Sequence, residues 1–296
     1  MSRMEARMLA DGQRLHLHDG PIDLIIGADG ARDEAHAAAM QRFASILDEL
    51  AAELPLLRKP VGLQPQGSTA RRMWRATRDL ADLGFITPMA AVAGSVAEEV
   101  LDAMCAAAPL SRAFVNNGGD IALHLTTGAT YEIGLVDRPD WPSLFSTARI
   151  AGEDSVRGIA TSGWRGRSFS LGIADAVTVL AERASVADAA ATLIANAVDL
   201  PGHPAIMRVP AQDIQPDNDL GARLVTRGVG PLEPDEIAAA LGSGVALAER
   251  LVRDGRISAA ALHLAGETRT VGAMQGRQDA GREGEKIPRL GGGNPS

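Results

Sequence analysis

Cysteine and lysine are scarce in this chain, and each scarcity removes a class of chemistry. Cys105 is the only cysteine among 296 residues, so an internal disulfide is excluded. Its position in the apolar segment 100–108 predicts a small buried side chain. Lys59 and Lys286 are the only lysines, and neither lies near the motifs described below. The sequence therefore gives no support to a Schiff-base or lysine general-base mechanism.

Long apolar runs and an excess of positive charge are missing too. The segment 1–17 has no signal-peptide core, and no later run reaches the length that spans a membrane. The net charge of −8 and the pI of about 5.3 do not favour nucleic acid or an anionic membrane surface as a partner. We therefore expect a cytoplasmic protein that binds a small molecule, and homo-oligomerisation is left open.

The chain has enough apolar residues for a large core, since 46% of its residues are hydrophobic. Short strands mixed with helices, without strict alternation, predict an α+β fold with mixed sheets packed against helices. The length suits a single domain over 1–274, or two interlocked subdomains there. Residues 275–296, which end in Gly-Gly-Gly-Asn-Pro-Ser, are predicted to form a disordered tail.

The predicted elements are bounded by apolar periodicity and turn residues. In chain order they are a β-meander over 6–28, a helix over 33–54 that Pro55 ends, a helix over 68–83 capped by Ser68 or Thr69, a helix from Thr87-Pro88 to 108, five strands between 112 and 161, a strand and a helix over 174–198, short strands over 205–209 and 223–226, a helix over 234–253 and a last strand over 257–264.

The segment 174–198 is the most informative, because it reads as a β-branched strand, a turn and an amphipathic helix. Asp188 and Thr192 lie four residues apart on that helix, hence on one face, where their oxygens could converge on Mg²⁺. The alternative is structural. Ser185 followed three residues later by an acid resembles a capping box, and Thr192 could simply pack.

Two segments upstream are candidates for holding a phosphorylated ligand. Residues 88–95 have small or flexible side chains at a helix start, which lets backbone N–H groups approach a phosphate, although close helix packing explains the same composition. Asn116, Asn117, Gly118 and Gly119 join two strands, and an Asn-Gly hairpin needs no ligand. Asp120, which follows them, is either a turn carboxylate or an acid that supports the site.

The glycine-broken loop 161–169 carries two arginines and a tryptophan. Arg165 or Arg167 could clamp a pyrophosphate while Trp164 stacks on a ring, and a solvated loop is the alternative. Elsewhere, Arg71 and Arg75 lie on one helical face with Arg78, where phosphate binding competes with the commoner interpretation of a solvent-exposed basic stripe. His16 and His18 share a strand face without a pattern that predicts a metal site.

These motifs, in this order, resemble the ApbE-like superfamily, whose known members are FAD:protein FMN transferases. The matching segments are Val115-Asn116-Asn117-Gly118-Gly119-Asp120-Ile121, Ser162-Gly163-Trp164-Arg165-Gly166-Arg167-Ser168-Phe169, Ala176-Val177-Thr178-Val179 and Ala187-Asp188-Ala189-Ala190-Ala191-Thr192. The resemblance implies an ApbE-like architecture and a cleft that binds Mg²⁺ and FAD or FMN. It implies metal ligation by Asp188, Thr192 and a backbone carbonyl near Ala90, catalytic roles for Arg167 and Asp120, and ligand contacts from Ala91, Gly94, Ser95, Asn116, Asn117, Gly118, Gly119, Thr161, Ser162, Gly163 and Trp164.

The chain also departs from the transferases. Ala93 stands where they have a lysine, and only Gly172-Ile173-Ala174-Asp175-Ala176 remains of their H-I-I-D-P-x-T-G segment. The chain therefore resembles a shorter, uncharacterised branch of the superfamily. The resemblance implies binding of a phosphorylated nucleotide or flavin-type ligand with Mg²⁺ and transfer of a nucleotidyl or FMN group. The alternatives are a non-catalytic ligand-binding protein and a protein of pterin or one-carbon cofactor biosynthesis, because this branch occurs in archaea and in bacteria with archaeal-type one-carbon cofactors.

Overall fold

Alternation of apolar and polar residues marks the start of the sheet, most clearly in its second strand. In the segment Leu15–Asp19, Leu15 and Leu17 are buried while His16 and His18 between them are half-buried, as expected for a strand with one face on the core. Its neighbours are Glu5–Met8 and Ile22–Gly30, and the pairing of all three is antiparallel. The predicted meander is therefore confirmed.

A computed structural model describes residues 4–60, 62–136 and 144–273. Its main feature is a nine-stranded sheet in the order β1-β2-β3-β4-β5-β8-β9-β12-β13, in which every described pair of neighbours is antiparallel. The strands are β1 (Glu5–Met8), β2 (Leu15–Asp19), β3 (Ile22–Gly30), β4 (Leu110–Asn117), β5 (Asp120–Leu125), β6 (Thr130–Val136), β7 (Leu144–Ala151), β8 (Gly158–Ser162), β9 (Ala176–Ala181), β10 (Ile206–Pro210), β11 (Leu224–Val229), β12 (Ala259–Leu264) and β13 (Glu267–Gly272).

Helices cover one face of this sheet in the same order as the strands beneath them. The helix α1 packs on β2 and β3, α3 on β4 and β5, α4 on β8 and β9, and α6 on β12 and β13. Their bounds are α1 (Arg32–Leu57), α2 (Ser68–Arg78), α3 (Val92–Ala107), α4 (Ala184–Ala197), α5 (Ala211–Ile214) and α6 (Pro234–Arg253), with a 3-10 turn at Pro88–Ala91 before α3. The α+β class, with sheets packed against helices, is confirmed.

The opposite face of the sheet is covered by the hairpin of β6 and β7. Ala148 and Ile150 of β7 are buried in a second apolar cluster with Leu123 and Leu125 of β5 and Ile159 of β8. Both faces of the middle strands are therefore buried, which explains why β9 is buried along its whole length.

Several predicted boundaries need correction. Pro55 lies inside α1 and does not end it, because a proline in the last turn removes one N–H while the Arg58 amide still closes that turn on Leu54. The helix α2 ends at Arg78 and not at 83, since the Leu80 and Leu83 amides make the shorter bonds of successive tight turns.

The cap of α2 and the last strand also differ from expectation. Gly67, and not Ser68 or Thr69, is the residue that precedes α2, and its first turn has no side-chain cap. Ser68 donates its hydroxyl hydrogen to Glu99 instead. The strand β13 was missed, because its alternation is largely polar and lies at the sheet edge.

Strands from both ends of the described chain belong to one sheet, in keeping with a single domain over 1–274, which stays a prediction. The predicted tail over 275–296 lies outside the described residues. Within the described ranges, no helix combines the length and the apolar character needed to cross a membrane.

Candidate functional site

The N-termini of α3 and α4 are joined by two carboxylates, each of which caps the other helix. Asp188 of α4 accepts a hydrogen bond from the Gly94 amide at 3.0 Å and another from the Ala93 amide. Glu98 of α3 accepts bonds from the Ser185 amide and hydroxyl, both at 2.8 Å. The predicted capping of α4 by its own Asp188 is therefore wrong, because that carboxylate satisfies the first amides of a different helix.

Close approach of the two helices explains the small residues of segment 88–95. A Cβ atom on Gly94 would overlap the Ala184 carbonyl oxygen and the Ser185 amide of α4. Gly94 is thus required for packing. Two amides that could have faced a phosphate at the start of α3 are already bonded to Asp188.

The turn between β4 and β5 is tied to the same helix start. The Asn117 side-chain amide donates to the Ala93 carbonyl oxygen at 3.2 Å, across 24 residues of sequence. The Asn116 side-chain oxygen accepts from the Gly119 amide at 2.8 Å, which closes the turn. Gly118 has a φ of 66°, a conformation that glycine adopts without strain.

The loop after β8 reaches this turn from the other side. The guanidinium of Arg167 lies directly over Gly118, where a Cβ atom would overlap it. At the first residue of β5, Asp120 accepts a hydrogen bond from the Thr161 amide at 3.1 Å, and the Thr161 hydroxyl lies 2.9 Å from the Thr178 hydroxyl. Arg167 is exposed and its charge acts on Asp120.

The two carboxylates at the centre of this arrangement are electrostatically unsatisfied. Burial raises the pKa of Asp120 to about 7, against the opposing effects of the Thr161 amide and the Arg167 charge. Burial also raises the pKa of Asp188 well above its ordinary value, and the neighbouring Asp120 charge raises it further, although the Gly94 and Ala93 amides oppose this. Two such carboxylates favour a shared proton or a cation.

A family model described as AbpE bacteria matches residues 6–270 of the chain. The chain belongs to this family. The match confirms the ApbE-like resemblance on which the site residues were assigned.

Among the relatives, the chain is similar to uncharacterised proteins of archaea. It is 38% identical to a UPF0280 protein of Methanopyrus kandleri over 181 residues, which are 59% of this chain and 69% of that protein. It is 37% identical to a UPF0280 protein of Archaeoglobus fulgidus over 132 residues, 45% of this chain and 51% of that protein. Among solved structures it is similar to the apo form of the Pseudomonas stutzeri flavinyl transferase ApbE, with a TM-score of 0.48, 13% identity and coverage of 90% and 93% of the two chains.

In this AbpE-family chain, the loop after β8 is anchored by Asp175, a residue to which the sequence analysis gave no role. This buried carboxylate accepts bonds from the Trp164 indole N–H at 3.1 Å, the Arg165 side chain at 2.5 Å and the Ala265 amide at 2.7 Å. The Arg165 guanidinium also lies 4.4 Å from the centre of the Trp164 ring. Arg165 is therefore engaged within the loop, which leaves Arg167 as its exposed cation toward the Gly118 turn.

The remaining predicted residues differ in accessibility. Ala91 and Ser95 are fully buried, and burial favours the packing interpretation of their segment. Ala90 and Thr192 are half-buried. Their ligand-binding and metal-binding roles stay predictions. No group of three or more His, Cys, Asp or Glu side chains suited to a metal occurs in the described part of the chain, and the predicted magnesium site contains a single acidic ligand.

Proposed function

We propose that this AbpE-family protein binds a phosphorylated nucleotide or flavin-type ligand together with Mg²⁺, in the cleft between the β4–β5 turn, the loop after β8 and the starts of α3 and α4. The observation that carries the proposal is that two half-buried carboxylates, Asp120 and Asp188, interact with each other close to one exposed guanidinium, that of Arg167. A cation would neutralise the charge of the two carboxylates, and the guanidinium would attract an anion. A metal-bound pyrophosphate supplies both charges in one ligand.

The residues present fit a magnesium ion. Oxygen ligands are what this hard cation prefers, and Asp188, the Thr192 hydroxyl and the Ala90 carbonyl would hold it. The raised pKa of Asp188 supports this assignment, because a carboxylate without a nearby positive charge gains most from a cation. When bound, Mg²⁺ would polarise a pyrophosphate oxygen of the ligand.

The other predicted residues would hold the ligand. Arg167 would bind and orient an anionic oxygen over Gly118, since a guanidinium recognises phosphate through two parallel hydrogen bonds. The backbone of Asn116–Gly119 and of Ser162–Gly163 would approach the phosphates closely. Trp164, held by Asp175, would offer the exposed part of its ring to a base or flavin. Asp120, fixed by the Thr161 amide, would lie beside the reacting phosphates.

We further propose that the reaction is transfer of a nucleotidyl or FMN-type group from the pyrophosphate to an acceptor oxygen. The acceptor oxygen forms a bond to one phosphorus as the bridging P–O bond breaks, and the leaving phosphate departs with its electron pair. FAD or FMN is the first ligand to test, because the family resemblance points to flavins. The proposed setting is the cytoplasm.

The direct test is calorimetric titration with FAD, FMN, ATP and ADP, each with and without magnesium chloride. We expect binding of at least one of them to require the metal and to disappear in Asp188→Ala. Asp213→Ala, which removes an exposed carboxylate elsewhere, is the matched control and should bind like the wild type. Metal-independent binding, or equal binding by both variants, contradicts the proposal.

A non-catalytic ligand-binding protein is the second candidate, favoured by the alanine at position 93. The Ala93 amide is bonded to Asp188, but its methyl group supplies no charge where the transferases have a lysine. Incubation of FAD with a candidate acceptor and magnesium distinguishes the two, since transfer releases AMP and binding alone leaves FAD intact. A colourless protein whose gene deletion creates a pterin or folate-type auxotrophy would favour cofactor biosynthesis over both.

A further inference from the structure

A second polar cavity lies beside α2 and the start of α4. Its volume is about 510 Å³, and its lining includes Ser68, Arg71, Arg72, Arg75, Glu98 and Arg183. The four arginines of this lining have no role in the cleft described above, whereas Glu98 joins α3 to α4 beside it. This volume falls in the range of small-molecule sites. It is several times the volume that a single water molecule needs.

The floor of this cavity is a closed network of charges. Arg72 donates to Glu99 at 2.7 Å, to Glu98 at 3.2 Å and to Asp102 at 2.6 Å. Glu98 is also bonded to the Ser185 amide and hydroxyl at the start of α4. The three carboxylates thus share the Arg72 guanidinium, and Glu99 is also bonded to Arg42.

The rim carries positive charge that is only partly compensated. Within residues 4–60, 62–136 and 144–273, the side chains of Arg71 and Arg75 have no ion-pair or hydrogen-bond partner. Arg183 lies 3.7 Å from Glu98 and its side chain is 55% exposed. The remaining acid of the lining, Asp79, is paired with Arg78 at 2.9 Å and with Arg256 at 3.4 Å.

Unpaired arginines around a cavity are unexpected in a chain of net charge −8, where carboxylates are available to pair with them. Arg71 and Arg75 are four residues apart on α2 and so lie on one face of that helix. Arg71 and Arg75 of α2 line the cavity together with Arg183, which precedes α4. Guanidinium groups bind phosphate oxygens through paired hydrogen bonds, which a single lysine could not reproduce.

We propose that this cavity is an anion-binding site for the phosphate group of a small molecule, held by Arg71, Arg75 and Arg183. The proposal does not rest on the function assigned to the Asp188 cleft, because none of the three arginines is assigned to that cleft.

Calorimetric titration with inorganic phosphate and with pyrophosphate, at constant ionic strength without divalent cations, tests the proposal. We expect saturable binding, weakened about tenfold or more by Arg71→Ala and by Arg75→Ala, because each removes charged hydrogen bonds to the anion. Arg227→Ala is the matched control, since Arg227 is an exposed arginine outside the cavity lining. It should bind phosphate like the wild type.

Three outcomes would overturn the proposal. The first is the absence of saturable heat with either anion. The second is an equal loss of affinity in Arg75→Ala and Arg227→Ala, which would indicate a general charge effect. The third is loss of binding in Arg167→Ala with full binding in Arg75→Ala, which would assign the anion to the other cleft. Thermal melting of each variant checks that it is folded.

Discussion

Two groups of carboxylates on neighbouring elements have opposite electrostatic settings. One is Glu99 of α3, and the other is Asp188 of α4 with Asp120 at the start of β5. Glu99 is bonded to the guanidinium groups of Arg42 and Arg72. Burial acts to raise its pKa, but hydrogen bonds from Ser68, Arg72 and Arg42 outweigh it and the pKa is lowered. Asp120 and Asp188 receive hydrogen bonds from backbone amides, and their pKa values are raised.

The difference distinguishes a structural ion cluster from a candidate ligand site. The charge of a buried carboxylate with arginine partners is balanced within the protein. Such a carboxylate holds helices together and needs no bound cation. The half-buried carboxylates Asp120 and Asp188 receive amide hydrogen bonds and face each other, with only the exposed Arg167 to oppose their charge, so a proton at low pH or a cation at neutral pH would stabilise them. Neighbouring elements therefore carry one group that stabilises the fold and one that is suited to binding.

The largest expected effect on stability comes from the ion cluster of Glu99, Arg42 and Arg72. Glu99→Gln should lower the free energy of unfolding by about 3 kcal/mol, because it removes the buried charge that accepts hydrogen bonds from Arg42, Arg72 and Ser68 together. Glu249→Gln removes an exposed partner of Arg253 and should change it by less than about 0.5 kcal/mol. Urea denaturation measures both, and similar values for the two variants would contradict the structural role of the cluster.

The pH dependence of stability should have opposite signs at the two groups. The lowered pKa of Glu99 contributes stability above its unfolded value of about 4.3, and this is lost as the pH falls through the folded pKa. The raised pKa of Asp120, about 7, contributes stability at pH values below its unfolded value. That contribution is lost as the pH rises from about 4 to about 7.

Denaturation of the wild type and of Asp120→Asn between pH 4 and pH 8 measures the second effect. The wild type should lose up to about 3 kcal/mol relative to the variant as the pH rises across this range. Magnesium should reduce the loss if the cation stabilises the ionised pair. Parallel stability curves for the two proteins would show that Asp120 titrates normally, and would remove the contrast with Glu99.

Much of the fold was predictable from local pattern. The bounds of α6 and the meander of β1 to β3 follow from apolar periodicity and turn residues, because α6 and β2 are amphipathic and turn residues separate the strands. The end of α2 was not predictable in this way. Its last predicted turn is apolar enough for a helix, and successive tight turns at Leu80 and Leu83 replace it for reasons of packing.

The members of the candidate site stay predictions, and the proximity of its segments was more predictable than their contacts. Motif order identified the turn at Gly118, the loop with Arg167 and the helix with Asp188, and the structure brings them together. The exchange of caps between Asp188 and Glu98 joins residues about ninety positions apart, so no spacing signals it. Asp175 had only the sequence G-I-A-D as a signal, and its role depends on loop residues that fold back onto it.

At the candidate site itself, Asp188→Asn should raise the stability of the protein and abolish its binding of magnesium. Asparagine keeps an oxygen that accepts from the Gly94 amide but removes the charge beside Asp120. We expect the free energy of unfolding at pH 8 without divalent cations to rise by about 1–2 kcal/mol. Magnesium should stabilise the wild type and leave the variant unchanged. Thermal melts with magnesium and with EDTA measure both, and a variant that magnesium stabilises like the wild type contradicts metal binding by Asp188.

The smallest effect on stability should come from Gly118→Ala. Gly118 has a φ of 66°, and an alanine there costs about 1 kcal/mol of backbone strain. Its Cβ atom would also overlap the Arg167 guanidinium, which is the end of a flexible exposed side chain and can move away. Displacement of that guanidinium should weaken binding of the phosphorylated ligand, although the variant stays folded.

Gly128→Ala is the matched control, because Gly128 has a φ of 83° and no atom near its Cβ position. It carries the same backbone strain without a neighbouring arginine, so it should lose a similar free energy of unfolding and keep full ligand affinity. Denaturation and calorimetry on both variants separate strain from displacement. Equal affinities for the two variants would show that the position of Arg167 over Gly118 does not matter for the ligand, and would leave the carboxylate pair alone as the basis of the site.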